Sequence, residues 1–331
     1  MTPLLGREAE LRAAFSRLAS GQSAAIVGEP DTGKSLLLAQ LARAEVSAEW
    51  LPHPERLAVF ILDGRRLPAN FTAATFWQSV FTTLRAEAPP AIRVEATQFA
   101  KTGDYGAFAL ERFFRQMGRS GLRVALLVDH FGHFLSHLLT PPATSAGELL
   151  GTLRSLSSRS GGLSLIVAAR RRVSELNQQT AQLNPRGSPY FNTLQEIRLG
   201  AFERGEARKI LEASFDSSIA QTVWTVTGRH PFLISLAVQA RPSSVELSTL
   251  LTSLAPRADE HFKIAFGFLG GLAPTLLSLL GGKRLPRPPA PGDVEDLIWR
   301  GWLDRDSDGI LRPASLLLAR WLETSHALNL H

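Results

Sequence analysis

Apolar residues follow two different patterns along this chain, and the change between them divides it near residue 200. In the first part, short unbroken apolar runs alternate with stretches of helical spacing. The runs are 23–27 (Ser-Ala-Ala-Ile-Val), 57–62 (Leu-Ala-Val-Phe-Ile-Leu), 124–128 (Val-Ala-Leu-Leu-Val) and 163–169, and a fifth, shorter strand is expected at 196–199 (Glu-Ile-Arg-Leu). Runs this short without polar alternation predict strands buried on both faces, as in a parallel sheet covered by helices. Between them Leu11, Phe15 and Leu18 recur at helical spacing within 8–19. Helices are also expected over 36–42, about 73–87 and about 106–118, with Pro89-Pro90 ending the second of these.

After Gly200 the strands give way to helices over about 203–250. Pro256 is expected to open a C-terminal unit with helical stretches near 259–269, 273–280 and 293–300, the last preceded by a Pro-rich loop over 286–292. The segment 302–311 reads as a hairpin turning at Asp308-Gly309. Helices followed by a two-stranded wing predict a winged helix-turn-helix. The expected fold is therefore α/β, a P-loop NTPase parallel sheet sandwiched by helices, then a helical lid and a winged helix. The expected boundaries are 1–200, 201–253 and 254–331.

The P-loop assignment rests on what joins the first run to the helix after it. Residues 28–35 read Gly-Glu-Pro-Asp-Thr-Gly-Lys-Ser, a complete Gly-x4-Gly-Lys-Ser (Walker A) motif in the strand–turn–helix context it requires. Gly28 and Gly33 permit backbone that a side chain would block. The loop amides then point inward at a polyphosphate, and the following helix adds the positive end of its dipole. Gly28, Glu29, Pro30, Asp31, Thr32, Gly33, Lys34, Ser35 and Leu36 form the candidate binding set for ATP or ADP. Lys34 supplies a mobile charge for the β- and γ-phosphates, and the Ser35 hydroxyl is a candidate Mg²⁺ ligand. Asp129 ends the third apolar run, where an acid completes the Mg²⁺ site of a P-loop fold; the alternative is an acid capping the next helix.

Composition narrows the setting. The 331 residues carry a formal charge of +6, which favours acidic partners weakly, and contain no cysteine, so disulfides, thiolate metal sites and thiol nucleophiles are excluded. No apolar run approaches the ~20 residues needed to span a bilayer, and the N-terminus lacks a signal-peptide pattern. A cytoplasmic protein without a membrane partner is expected.

The segments Gly6-Arg7-Glu8-Ala9-Glu10-Leu11, the phosphate loop, Asp129 and Gly228-Arg229-His230-Pro231 occur in that order. In this the chain resembles AAA+-related ATPases of the STAND and initiator (origin-recognition) type. The resemblance implies an ATPase core, a helical lid and a winged helix, with Gly6 and Arg7 near the adenine. It also implies that Arg229, His230 and Pro231 start a lid helix reaching back to the phosphates or the base; the alternative is a helix start with no ligand.

The chain departs from that pattern where the chemistry is. The family's acidic strand end usually continues Asp-Glu, the Glu activating water, whereas this chain reads Asp129-His130. Lys34, Asp129 and His130 are thus the candidate catalytic set for slow or absent hydrolysis, with Glu29 as a substitute base. Arg170, after the fourth run, is either a γ-phosphate sensor or part of a solvated basic helix start. Arg186 is a candidate arginine finger acting in trans. His130, His133 and His137 are spaced for one helix face, but Phe131, Phe134 and Leu135 around them read as core rather than as a metal site. A small-molecule kinase would need an acceptor site that the sequence does not reveal.

Two readings of the nucleotide's role follow. One is a conformational or assembly switch read by a partner protein or by self-association; the alternative is a DNA-binding ATPase of initiator or transposition-regulator type. From residue 256 onward nine basic residues face nine acidic ones. Asp293, Glu295 and Asp296 lie on the expected recognition helix and Asp304, Asp306 and Asp308 on the wing, where they would repel phosphate. Only Lys283, Arg284 and Arg287 form a basic cluster there, so DNA binding through the winged helix is not expected.

Overall fold

The expected apolar runs become the central sheet of the computed structural model, which describes residues 6–68, 71–140, 146–159, 161–242, 246–281 and 288–325. The basic cluster Lys283, Arg284 and Arg287 lies outside the described residues. The first part of the chain runs α1 (Glu8–Ala19), β1 (Ala24–Gly28), α2 (Lys34–Leu41), α3 (Ala44–Trp50), β2 (Leu57–Asp63), α4 (Ala73–Glu87), α5 (Pro90–Ala100) and α6 (Ala107–Arg119). It continues β3 (Arg123–Asp129), α7 (Phe131–Leu139), α8 (Ala146–Arg159), β4 (Leu163–Ala169), α9 (Val173–Thr180) and β5 (Gln195–Leu199).

The five strands form one parallel sheet in the order β2-β3-β4-β1-β5. Every residue of β1 and β4 is buried, as their unbroken apolar character requires. The helix α2 lies on β2, β3 and β4 with α1 and α3 against it, and α4, α6 and α8 pack on one another and on the same strands. Between β2 and β3 the register sets Asp63 opposite Asp129 at the strand ends. The Pro89-Pro90 pair does not only end α4: Pro90 opens α5, because a proline in the first helical turn gives up no intrahelical bond.

The later part contains α10 (Arg204–Ser214), α11 (Ser217–Thr227), α12 (Pro231–Ala240), α13 (Leu247–Phe266), α14 (Leu272–Gly281), α15 (Pro291–Arg300), the antiparallel pair β6 (Leu303–Arg305) and β7 (Leu311–Pro313), and α16 (Leu316–Thr324). Pro256, expected to open a C-terminal unit, sits inside α13, which runs across the expected boundary at 253. The buried positions Leu250, Leu254, Ala258 and Phe262 keep one apolar face through it, and this burial outweighs the ~3 kcal/mol cost of an interior proline.

The described residues group into two units. One comprises Arg7–Val27 and Lys34–Arg198. The other takes in the chain from Leu199, together with Gly6 and the loop residues Gly28–Gly33. The second unit has its own core, in which Val223, Leu233, Leu254, Phe262, Trp302 and Leu318 are fully or almost fully buried.

Candidate functional site

The phosphate loop owes its shape to its glycines and one buried threonine. A methyl group on Gly28 would collide with the carbonyl oxygen of Leu199 and with the Thr32 hydroxyl. Gly33 has φ +96°, a conformation disfavoured for residues with a side chain, and open space around it. The Thr32 hydroxyl donates to the Glu29 carbonyl at 2.9 Å, closing the turn. Asp31 also adopts a left-handed conformation, φ 57°. Beyond Gly33 the chain enters α2 with Lys34 half-buried and Ser35 and Leu36 exposed at its first turn, where helical amides lack intrahelical partners.

Two of the loop side chains are carboxylates, and both are held by helices of the C-terminal unit. Glu29 is 3% exposed and forms a buried ion pair with Arg300, the last residue of α15, whose guanidinium also lies 5.4 Å from the Trp299 ring centroid. Glu29, a candidate substitute base by sequence, is engaged in this pair. Asp31 accepts a hydrogen bond from Nδ1 of His261 at 3.2 Å. His261 is buried on α13, stacked on Phe232 at 4.1 Å and edge-on to His230 at 5.1 Å, and its Nε2 has no hydrogen-bond partner.

A second cluster occupies the C-terminal ends of β2 and β3. Arg65 donates to Asp63 from Nη2 at 2.9 Å, from Nε at 3.1 Å and from its backbone amide at 3.0 Å. These bonds from Arg65 hold the Asp63 carboxyl at about 2, against a smaller opposing effect of burial. His130 stands between the two strand-end acids, its Nδ1 at 3.2 Å from Asp63 and 3.4 Å from Asp129. Its own backbone is left-handed (φ 50°), and its amide donates to Asp129 Oδ1 at 2.7 Å. A methyl on Gly64 would press within 3.1 Å on the backbone of Asp129, His130 and Phe134, so the glycine lets the two turns meet. His130 therefore caps α7 from outside, and the three histidines do not share a helix face. Among the described residues no three His, Asp or Glu side chains converge as a metal-binding group.

The remaining expected residues are placed as follows. Arg7 is buried and bonds Glu10 at 2.8 Å, its guanidinium pKa lowered by burial against the pull of Glu10. Gly6 has φ 74°, and a methyl there would press on Ile210 and Phe202. Arg229 donates to the Phe202 carbonyl at 2.9 Å and pairs with Asp304 at 3.3 Å, while Pro231 opens α12. Arg170 is exposed after β4, and Arg186 is exposed in its loop. Sequence reasoning missed Asp63, Arg65, His261 and Arg300. Asp63 alone left a signal, an acid ending an apolar run just as Asp129 does.

No family model and no curated protein matches the chain in sequence. Among solved structures it is similar to the Walker-type ATPase of Pyrococcus abyssi, at 15% identity and a TM-score of 0.55, over 97% of this chain and 96% of that one. It is also similar to the ORC2 protein of Aeropyrum pernix in ADPNP–ADP complexes, at 16% identity and a TM-score of 0.48, over 97% and 92%. For Drosophila ORC bound to DNA the values are 13% and 0.45, over 97% and 88%. The first of these likenesses shows the fold: a P-loop NTPase sheet flanked by helices.

Proposed function

We propose that the chain binds ATP and ADP on the Gly28–Ser35 loop and works as a nucleotide-dependent conformational or assembly switch of the AAA+/STAND kind, with slow hydrolysis. The observation that carries this reading is the loop itself: a Walker A sequence between a buried strand and a helix, followed at the Asp129 strand end by His130 where a water-activating carboxylate would stand. Ser35 and Asp129 offer one hydroxyl and one carboxylate, the hard oxygen donors that suit Mg²⁺, an ion that takes few protein ligands and completes its shell with phosphate and water. When bound, that ion would neutralise phosphate charge. Lys34 would hold the terminal phosphates, and Asp63 and Asp129 keep the His130 ring in place.

The C-terminal unit, read as lid and winged helix, would transmit the nucleotide state to a partner protein or a second copy. Its hairpin supports protein docking over nucleic acid. Arg305 pairs with Glu295, Arg312 pairs with Asp306, and Asp304 faces Arg204 and Arg229. These arginines are engaged with acids rather than presented as a phosphate-binding row. In the sheet unit a mainly apolar cavity of about 450 Å³ lies beside Leu57, Val59 and Phe60, at the start of β2 rather than at the Asp63 end; it gives no support to a kinase acceptor site.

Titration calorimetry with ATP and ADP tests the reading. Wild type should bind both, and Lys34→Ala should weaken ATP about 10- to 100-fold, the loss of a charge-assisted contact. Particle size should differ between ADP and a non-hydrolysable ATP analogue without duplex DNA. Tight, salt-sensitive DNA binding would instead support the initiator-like alternative, and brisk turnover abolished by Lys34→Ala would overturn slow hydrolysis.

A further inference from the structure

A loop that binds polyphosphate is an unexpected place for two carboxylates. Glu29 and Asp31 bring two negative charges to the segment whose amides must attract an anion. Each has a partner, and both partners come from helices far along the chain: Arg300 at the end of α15, 271 residues from Glu29, and His261 on α13, 230 residues from Asp31. The loop residues Gly28–Gly33 group with this C-terminal part of the chain. The Glu29–Arg300 pair is sealed, with side-chain exposures of 3% and 6%, so bulk water screens it little. The geometry is held from behind as well. Gly200 abuts Trp299, whose carbonyl accepts from the Ala201 amide at 2.8 Å, fixing the end of α15.

We propose that Arg300 is a positioning residue of the phosphate loop. By cancelling the charge of Glu29 it sets the loop's affinity for polyphosphate, while His261 holds Asp31 through its Nδ1 hydrogen bond, so anion affinity is governed from α13 and α15. This rests on the nucleotide reading above and adds the means by which the C-terminal helices and the loop are coupled. Anything that draws Arg300 from Glu29 exposes a carboxylate to the phosphates and lowers affinity. By reciprocity, a bound phosphate chain favours the state in which Arg300 is in place.

The test uses opposite signs. At roughly 10 Å and an effective dielectric of about 20, one unit charge changes an equilibrium on the order of tenfold. Glu29→Gln should therefore bind ATP and tripolyphosphate about tenfold more tightly, since Arg300 then faces the loop uncancelled. Arg300→Gln should bind both about tenfold more weakly, and Glu29→Gln/Arg300→Gln should return to within about threefold of wild type. Tripolyphosphate separates the charge effect from contacts to the base. If both single variants weaken binding alike, the pair is merely structural and the proposal is overturned. Asp31 is 63% exposed, so Asp31→Asn will fold even where the buried variants do not. It should tighten binding a few-fold, and unchanged or weaker binding would overturn the proposal. A wild type giving no heat with ATP, ADP or tripolyphosphate would overturn the nucleotide reading itself, an outcome distinct from these.

Discussion

Two clusters in this molecule bring carboxylates together with a histidine or an arginine, and they treat the charge differently. At the strand ends, Asp63 and Asp129 share His130 while Arg65 bonds Asp63, with side chains 13–24% exposed except for the 55% exposed Arg65. In the loop, Glu29 and Arg300 are shut away from water. The first arrangement leaves its carboxylates partly open to solvent, as the proposed cation site would require. The second pairs its charge internally, which under the proposed function leaves the loop's amides free of a competing carboxylate. What separates a ligand-ready carboxylate from a structural one here is solvent access rather than residue type, because breaking a buried pair strands a charge while breaking an exposed one hands it to water.

The sharpest way to break the comparison is to remove one arginine from each cluster. Arg300→Met should cost about 3–5 kcal/mol in chemical denaturation, since it leaves Glu29 buried and unpaired. Arg65→Met should cost clearly less, because that guanidinium is largely solvated and Asp63 keeps partial contact with water. Comparable losses from both would show that burial is not the deciding variable. Next in size is the glycine pair of the loop. Gly28→Ala forces a methyl against the Leu199 backbone and should destabilise by about 1–3 kcal/mol. Gly33→Ala meets open space and bears only the cost of positive φ, about 1 kcal/mol.

The sheet was legible because its inner strands β1, β3 and β4 are buried along their apolar runs, and an unbroken run such as Val124–Val128 has few other uses. The phosphate loop was legible because its chemistry is local: eight consecutive residues carry it. Whatever depends on register or on distant segments was not. Asp63 ends an apolar run before Gly64, and only its pairing opposite Asp129 across parallel strands gives it a place in the cluster. Arg300 shares its helix with Asp293, Glu295 and Asp296, and no local pattern announces a partner at Glu29. Pro256 misled because local propensity argues for a break, while the buried face of α13 continues through it.

Acid sharpens the comparison from the other side. Asp63 has its carboxyl held at about 2, below the ordinary carboxylate value of about 4. A lowered folded-state value stabilises above the unfolded value and is lost as pH falls toward the folded one. The stability difference between wild type and Asp63→Asn should thus be constant from neutral pH to about 4 and shrink between about 4 and 2. Thermal melts of both proteins across that range measure it, and a difference that grows on acidification would remove Arg65 as the cause.

The smallest effect on stability is expected at Asp31, and that is what makes the position useful. Its bond to His261 joins a buried ring to a mostly solvated carboxylate, so Asp31→Asn should change stability by less than about 1 kcal/mol. Asparagine tolerates the left-handed backbone that Asp31 adopts, so the substitution removes charge without adding strain. Asp31→Gly removes the same charge and also relaxes the backbone, so comparing the two variants by denaturation isolates the conformational part. If Asn and Gly are equal in stability, the left-handed turn is held at no cost by its surroundings. If Gly is the more stable by up to about 1 kcal/mol, the loop carries stored backbone strain of that size at Asp31.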